Sequence, residues 1–450
     1  MLKRKIDNVL LEWKNRADHK PLIVKGARQI GKTESIRKFG HENYRIVIEI
    51  NFVLQKKYQA IFDQGYEVDD IIKNISLLDP SLRFEPGRTL FFFDELQACP
   101  DCATCLKSFK QDGRYDVICS GSLMGIYYQK IESNSVGYKE DFEMHSLDFE
   151  EFLWAIGREP TMDLIREFFG KRKPLGQEVN RRIMEAYRQY LVVGGMPQAV
   201  EEFVKSRDLH EVDIAKRAIL DLYRQDIWKH AGGLAVKVER IFDEIPDQLS
   251  RHEKKFKVSD LEESAKMRDY ADSFKWLENA MIVNLAWNST EPNVGLKLNL
   301  NRKSMKCYLA DTGLLVSHAF DENALAAAEV HRRILLDRIE LNKGMLVENM
   351  AAQMLTAAGR RLYFHSESSP DVADNRMEID FLVSKTKLTA RHNVSPIEIK
   401  SGDNTTHASL DKYCRKYAEW CAEPFLFYDK DVKSEKGITY LPHYMLPCMG

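Results

Sequence analysis

The sequence predicts an α/β protein in which two α/β segments flank a mostly helical middle, and three observations carry that prediction. Near-continuous apolar runs (PLIVKG, YRIVIEINF, RTLFFFDE, YDVICSGS, FEMHSL) alternate with helical patterns over residues 1–155, as strands buried on both faces of a parallel sheet do. Helical periodicity then dominates residues 156–235, broken at VVGGMP (Val192 to Pro197), which reads as a tight turn. Residues 321–450 return to α/β, with EIDFLVS, PIEIKSG and PFLFYD as strand candidates.

Composition narrows the class. The chain has 450 residues, enough for about three domains. It is 44% hydrophobic and 30% charged, with 66 bases against 68 acids and a net charge of −2. That excludes a polycationic tail protein, although a local basic face survives a neutral total. No apolar run approaches the ~18–20 residues that span a bilayer. The opening MLKRKIDNVLLEWKNR has no secretory pattern and reads as an amphipathic helix with Ile6, Val9, Leu10 and Trp13 on one face. Eight cysteines are too few for a disulfide scaffold, so the expectation is a cytoplasmic protein with no membrane partner.

Taken in order, the first strand delivers Gly26-Ala27-Arg28-Gln29-Ile30-Gly31-Lys32-Thr33, a G-x-x-x-x-G-K-T opening a helix. Glycines let backbone N–H groups approach phosphates, and the helix N-terminus adds positive potential. Lys32 is expected to reach the β and γ phosphates and Thr33 to ligate Mg²⁺, which makes ATP and Mg²⁺ the expected cofactors. The strand RTLFFFDE ends in Asp94 and Glu95, expected respectively to hold the metal and to polarise the attacking water. YRIVIEINF lies between loop and acid in the chain, an arrangement of ATPases that use a glutamate base. The next strand ends at Ser120, where a polar side chain can sense a γ-phosphate. The acidic run Glu140–Glu151 reads as a solvated face.

Residues 236–320 give three helical segments and a strand-rich stretch (VGLKLNLN, MKCYLAD), the pattern of a winged helix. Arg251, Lys254, Lys255 and Lys257 cluster there, a patch able to meet DNA phosphates or to pack against protein.

GARQIGKT, FFFDELQACP, ICSGSLMGI, LDFEEFL and YLVVGGMP resemble bacterial and archaeal AAA-type ATP-binding proteins whose C-terminal half was long called a domain of unknown function. LYRQDI, KCYLADTGLL and GMLVEN…EIDFLV…IEIKSG extend the resemblance along the chain. It implies a P-loop ATPase core, a helical lid and winged-helix middle, and a C-terminal restriction-endonuclease-like domain. Tyr138 departs from the pattern, because relatives often carry a base directly after Gly137.

The C-terminal acids form their own constellation. Asp380 stands at a strand start, and Glu398 and Lys400, two apart in a strand, share a face. Such a set suits Mg²⁺ and an attacking water, with Asp380 and Glu398 as metal ligands and Lys400 beside the nucleophile. Glu348 on the preceding helix adds a carboxylate. The set resembles the PD-(D/E)xK nuclease core, with Glu348, Asp380, Glu398 and Lys400 at its four polar positions.

Cys99, Cys102 and Cys105 are spaced C-x₂-C-x₂-C, yet lack a fourth ligand nearby and read as core residues rather than a metal site. His365 and His392 read as structural. Arg224 is a candidate arginine finger. The expectation is an ATPase coupling nucleotide state to a nuclease-like domain that acts on DNA. The alternative is an ATP-dependent switch or interaction module, non-catalytic at its C-terminus, that binds a protein partner or a second copy of itself.

Overall fold

The five N-terminal apolar runs form one parallel sheet in a computed structural model, which describes residues 2–122, 135, 137–320, 324–336, 338, 343–367, 376–402 and 405–450. The chain divides into two units, Met1–Ser146 with Asn279–Met281, and Leu147–Glu278 with Ile282–Gly450. The fold class is α/β.

In the first unit β1 (Leu22–Lys25), β2 (Ile46–Asn51), β3 (Thr89–Asp94), β4 (Asp116–Gly121) and β5 (Glu140–Glu143) lie in the order β2-β3-β4-β1-β5. The strand that separates β1 from β3 is therefore β4. YRIVIEINF, which precedes the acid in the chain, forms β2 at the sheet edge. The interior strand β3 is buried throughout. Its Phe91 and Phe93 pack into a cluster with Phe52, Ile71, Ile75 and Phe109. Cys99, Cys102 and Cys105 belong to the same cluster as free thiols, and burial pushes the Cys99 thiol up to about 12. Their spacing is that of a helix face turned inward. The N-terminal helix Lys5–Asn15 buries Ile6, Leu10 and Trp13 as its periodicity predicts, with Val9 half-buried.

The acidic run is solvated only in part: Asp141 and Glu143 are exposed and Glu140 and Asp148 half-buried, as a solvated face requires, whereas the last two acids turn inward. Glu140 and Asp141 sit in β5 against bases, Asp141 2.7 Å from Lys25. In the second unit Asp148 caps the helix Phe149–Ala155, accepting from the Glu151 amide at 2.9 Å while Glu151 returns a bond to the Asp148 amide at 3.0 Å. Glu150 and Glu151 are buried there. Acids in a first helical turn are held by orphan N–H groups, which is how these last two acids of the run can be buried.

Helices dominate the second unit up to Asn279, and strands follow. β6 (Val283–Ser289) and β7 (Leu300–Leu309) pair antiparallel, as a wing would. They do not stop there. β8 (Tyr363–Glu367) adds to β6 in parallel and β9 (Met377–Ile379) to β8, making one sheet of order β7-β6-β8-β9. A second sheet has the order β10-β11-β12-β14-β13, from β10 (Phe381–Ser384), β11 (Val394–Ile399), β12 (Phe425–Tyr428), β13 (Lys433–Glu435) and β14 (Ile438–Pro442). The helices Lys343–Ala357 and Ala408–Lys416 belong to this part.

VVGGMP is the tight turn expected, and it docks on ADTG of the KCYLADTGLL segment. A Cβ on Gly194 (φ 77°) would lie 2.2 Å from Asp311 Oδ1, and one on Gly195 2.0 Å from the Leu147 carbonyl. Asp311 accepts the Gly195 amide at 2.7 Å, while the buried Lys216 ammonium donates to the Val192 carbonyl at 2.9 Å. Gln353, on helix Lys343–Ala357, bonds the Thr312 amide at 2.7 Å and the Tyr190 hydroxyl at 3.0 Å. Glycine is required at this junction by close approach, not by flexibility.

Candidate nucleotide site and the C-terminal carboxylate cluster

The segment Gly26–Thr33 runs from β1 into helix Lys32–Asn43, whose N-cap is Gly31 at φ 90°. Gln29 also takes a positive φ, 67°. A Cβ on Gly26 would lie 2.3 Å from Ile30 Cδ1 and 2.4 Å from the Met144 carbonyl, so the loop tolerates only glycine there. Ala27 and Ile30 are buried. Arg28 is exposed, and its charge bears on Lys32. The loop has a brace that motif reading misses: buried Arg4 donates from Nη1 to the Ile30 carbonyl and from Nη2 to the His145 carbonyl, both at 2.8 Å.

Lys32 turns onto the loop itself, donating to the carbonyls of Gly26 at 2.9 Å and Ala27 at 2.7 Å. Burial pulls its ammonium down to about 8, against the opposing pull of Glu95 and Asp94. The Thr33 hydroxyl donates to the Asp94 carboxylate at 3.3 Å. Ser120, at the end of β4, donates to Asp94 Oδ1. Asn51 Nδ2 completes the set on Asp94 Oδ2 at 3.0 Å. Register sets Asn51 opposite Asp94, but its position at the end of YRIVIEINF was the only sequence signal for it. Lys32, Thr33, Asp94 and Ser120, predicted separately, thus meet at the C-terminal edge of one sheet, where ligands of open α/β sheets bind.

Glu95 follows in a left-handed conformation, φ 57° and ψ 47°. That strained turn takes its carboxylate off the strand alternation, and Gln97 donates to it. The donor set fits a magnesium–triphosphate group: a hydroxyl and a carboxylate in contact, an ammonium beside them, and a cradle that a Cβ would fill.

The C-terminal polar residues are also brought together, but onto cations of the chain. Lys306, on β7, lies 3.0 Å from Glu348 Oε1, 2.9 Å from Glu378 Oε1 and 3.6 Å from Asp380 Oδ1. Lys254 lies 2.6 Å from Glu348 Oε2, and the Tyr308 hydroxyl donates to Glu348 Oε1 at 2.6 Å. Burial disfavours a charged Glu348, yet Lys254 and Lys306 outweigh it and hold its carboxyl below the usual range. Asp380 moves the other way, raised by burial and by the neighbouring Glu348 charge. Its Oδ2 accepts the Ile399 amide at 2.9 Å. Glu398 pairs with Lys400 at 2.5 Å, while its Oε2 is buried without a hydrogen bond. Among the described residues no three His, Cys, Asp or Glu side chains converge as metal ligands.

The other candidates lie as follows. Arg224 faces Asp221 at 3.4 Å and Asp243 at 3.2 Å. Arg251 pairs with Asp247 and Asp260, and Lys255 with Glu253 at 2.8 Å. Lys257 lies 3.7 Å from Glu253, so each base of that patch faces an acid. The Tyr138 ring carries the Lys107 ammonium 5.3 Å above it. His365 is buried on the Ser289 carbonyl and His392 bonds the Cys421 carbonyl, both structural. Residues 123–126 of ICSGSLMGI lie outside the described residues.

A parallel sheet with a phosphate loop and an acid pair at its strand ends defines a P-loop nucleotide-binding module. Within that class, residues 18–153 match the family model described as an AAA domain, which supports an AAA-type ATPase. Residues 184–324 match a domain of unknown function (DUF8612), and residues 343–446 a second one (DUF4143). No curated protein matches the chain. Similar solved structures include PCH-2 of C. elegans, at 10% identity over 48% of this chain and 66% of that one, TM-score 0.26. The Thermotoga maritima RuvB Holliday junction branch migration motor matches at 12% over 63% and 89%, TM-score 0.30. The Hsp104–ADP complex of S. cerevisiae matches at 14% over 80% and 53%, TM-score 0.29. The chain thus spans just under two thirds of PCH-2 and about half of Hsp104.

Proposed function

We propose that the protein binds and hydrolyses ATP with Mg²⁺ and that nucleotide state switches a C-terminal domain of nuclease-like fold. The observation that carries the first part is the convergence of Thr33, Ser120 and Asn51 on the Asp94 carboxylate at the mouth of the phosphate loop, near enough to Lys32 for its charge to act on that ammonium. In this reading Lys32 exchanges the Gly26 and Ala27 carbonyls for phosphate oxygens. Thr33 and Asp94 hold the Mg²⁺, which neutralises charge on the phosphates. Asn51 and Ser120 fix the rotamer of Asp94. The Glu95 carboxylate accepts a proton from the attacking water as the water oxygen bonds to the γ-phosphorus and the bond from that phosphorus to the β–γ bridging oxygen breaks, releasing ADP and inorganic phosphate.

The order of helix Lys343–Ala357, strands β8 to β11, helix Ala408–Lys416 and β12 supports a nuclease-like fold. The lysines on Glu348 and Asp380 favour a non-cutting module that binds a protein partner or a second copy of this chain. The cutting reading, with DNA as substrate, keeps one observation in its favour: Glu398 on β11 is paired with Lys400 just past its end, near Asp380.

The test is an ATPase and nuclease panel. Lys32→Ala should abolish nucleotide binding, and Glu95→Gln should bind ATP while hydrolysing it about 10²–10⁴-fold more slowly. Normal hydrolysis by Glu95→Gln would remove Glu95 as the base. Mg²⁺-dependent DNA cutting lost in Asp380→Ala would establish the cutting reading.

A further inference from the structure

We propose that Lys306 and Lys254 stand where a nuclease of this fold would place its divalent cation, so that the acid cluster is closed by the chain's own ammonium groups. This rests on reading the C-terminal part as nuclease-like.

Lys306 is 1% exposed, and its ammonium lies within 2.9–3.6 Å of oxygens from three carboxylates, Glu348, Glu378 and Asp380. The ammonium donates to Glu348 and pairs closely with Glu378, while Asp380 at 3.6 Å is a charge neighbour rather than a hydrogen-bond acceptor. Lys254 reaches the second oxygen of Glu348. Together the two lysines bring two positive charges to the cluster, the charge of one Mg²⁺ or Mn²⁺. A cation needs oxygens at about 2.0–2.2 Å, and here the central point among them is a nitrogen. Tyr308 also donates to Glu348 and the Ile399 amide to Asp380, while Glu398 Oε2 alone is buried without a hydrogen bond among the acids named. Glu398 has its own cation in Lys400. A divalent metal therefore does not fit these residues as they are arranged.

Lys306 arises from β7 and Lys254 from the turn after helix Ala235–Ser250, whereas Glu348, Glu378 and Asp380 belong to the C-terminal part. The plug and the acids come from segments that would be separate domains in the sequence reading. Joined by β6–β8 pairing in one sheet, they make a lock rather than a reaction centre.

The experiment titrates Mn²⁺ into the nucleotide-free full chain, following free Mn²⁺ by electron paramagnetic resonance and unfolding by calorimetry. Wild type and Asp380→Asn should show the same weak, non-stoichiometric uptake. Lys306→Met and the milder Lys254→Ala, whose side chain is 16% exposed, should melt earlier. Both should acquire a Mn²⁺ site that restores part of the loss and disappears when Asp380→Asn is added. A stoichiometric wild-type site lost in Asp380→Asn would overturn the inference and leave the nuclease-like reading standing. Lysine variants that neither melt earlier nor take up Mn²⁺ would overturn both, since no such cluster would then exist.

Discussion

Lys32 offers a stability measurement that can be worked through from the structure. Its pKa falls from 10.5 to about 8 in the folded chain, chiefly through burial. Between those values the unfolded chain binds more protons than the native one, so stability rises with pH across that window. Below pH 8 the burial penalty is fully present, about 3 kcal/mol at ~1.4 kcal/mol per unit. Bonds to the Gly26 and Ala27 carbonyls offset part of it, so the slope is a better readout than the absolute stability. Integrating the two titrations from about pH 7 to about pH 9.5 gives a gain of ~2 kcal/mol. Lys32→Met keeps the stem of the side chain and removes the titration. Urea unfolding of the nucleotide-free protein should therefore show wild type gaining ~2 kcal/mol on the variant over that range. A wild-type-minus-variant difference that stays constant with pH would refute the buried-lysine argument.

Other consequences are as direct. Arg4→Ala frees the Ile30 carbonyl end of the phosphate loop, so the KM for ATP should rise about tenfold with kcat changed far less, read by steady-state hydrolysis. Gly195→Ala forces a Cβ against the Leu147 carbonyl and should destabilise the second unit by about 3 kcal/mol or more in denaturant titration. Lys306→Met leaves buried carboxylates uncompensated and should cost ~3–5 kcal/mol, whereas adding Glu348→Gln should recover part of that. Strict additivity of the pair would show that the two side chains do not interact. ATP binding at about pH 8 should take up roughly half a proton, measured by calorimetry in buffers of different ionisation heat, as phosphates return Lys32 to its charged form.

The nucleotide half was legible because its chemistry is local. Eight consecutive residues make the loop, and an apolar run ending in two acids marks the strand that faces it. What escaped was lateral. Asn51 meets Asp94 because parallel register aligns β2 with β3, and no pattern within either strand records that register. Chain order likewise does not record which strands are neighbours: β2 precedes the acid in sequence, yet β4 lies between β1 and β3 in the sheet. Arg4 reads as one more base on an amphipathic helix until its guanidinium is seen on the loop carbonyls. The last acids of the acidic run, Glu150 and Glu151, escaped for a related reason: they turn inward in the first turn of a helix, and that depends on where the helix begins.

The lysine closure was further from view, since composition cannot say which bases meet which acids. The cluster Arg251–Lys257 has the sequence signature of a phosphate-binding face, yet its bases point to Asp247, Asp260, Glu348 and Glu253. Lys306 sits in MKCYLAD among apolar neighbours, where a single base is easily taken for a strand end. Glu348, Asp380, Glu398 and Lys400 were identifiable because a nuclease motif names them, and that motif predisposes a reader to supply a metal. Within that set Glu348 and Asp380 are compatible with either a divalent cation or two ammonium groups, since both bring two positive charges to their oxygens. Only the positions of Lys254 and Lys306, some 94 and 42 residues from Glu348 in the chain, separate the two cases. A carboxylate motif therefore establishes where negative charge collects, and what neutralises that charge is decided by residues the motif does not contain.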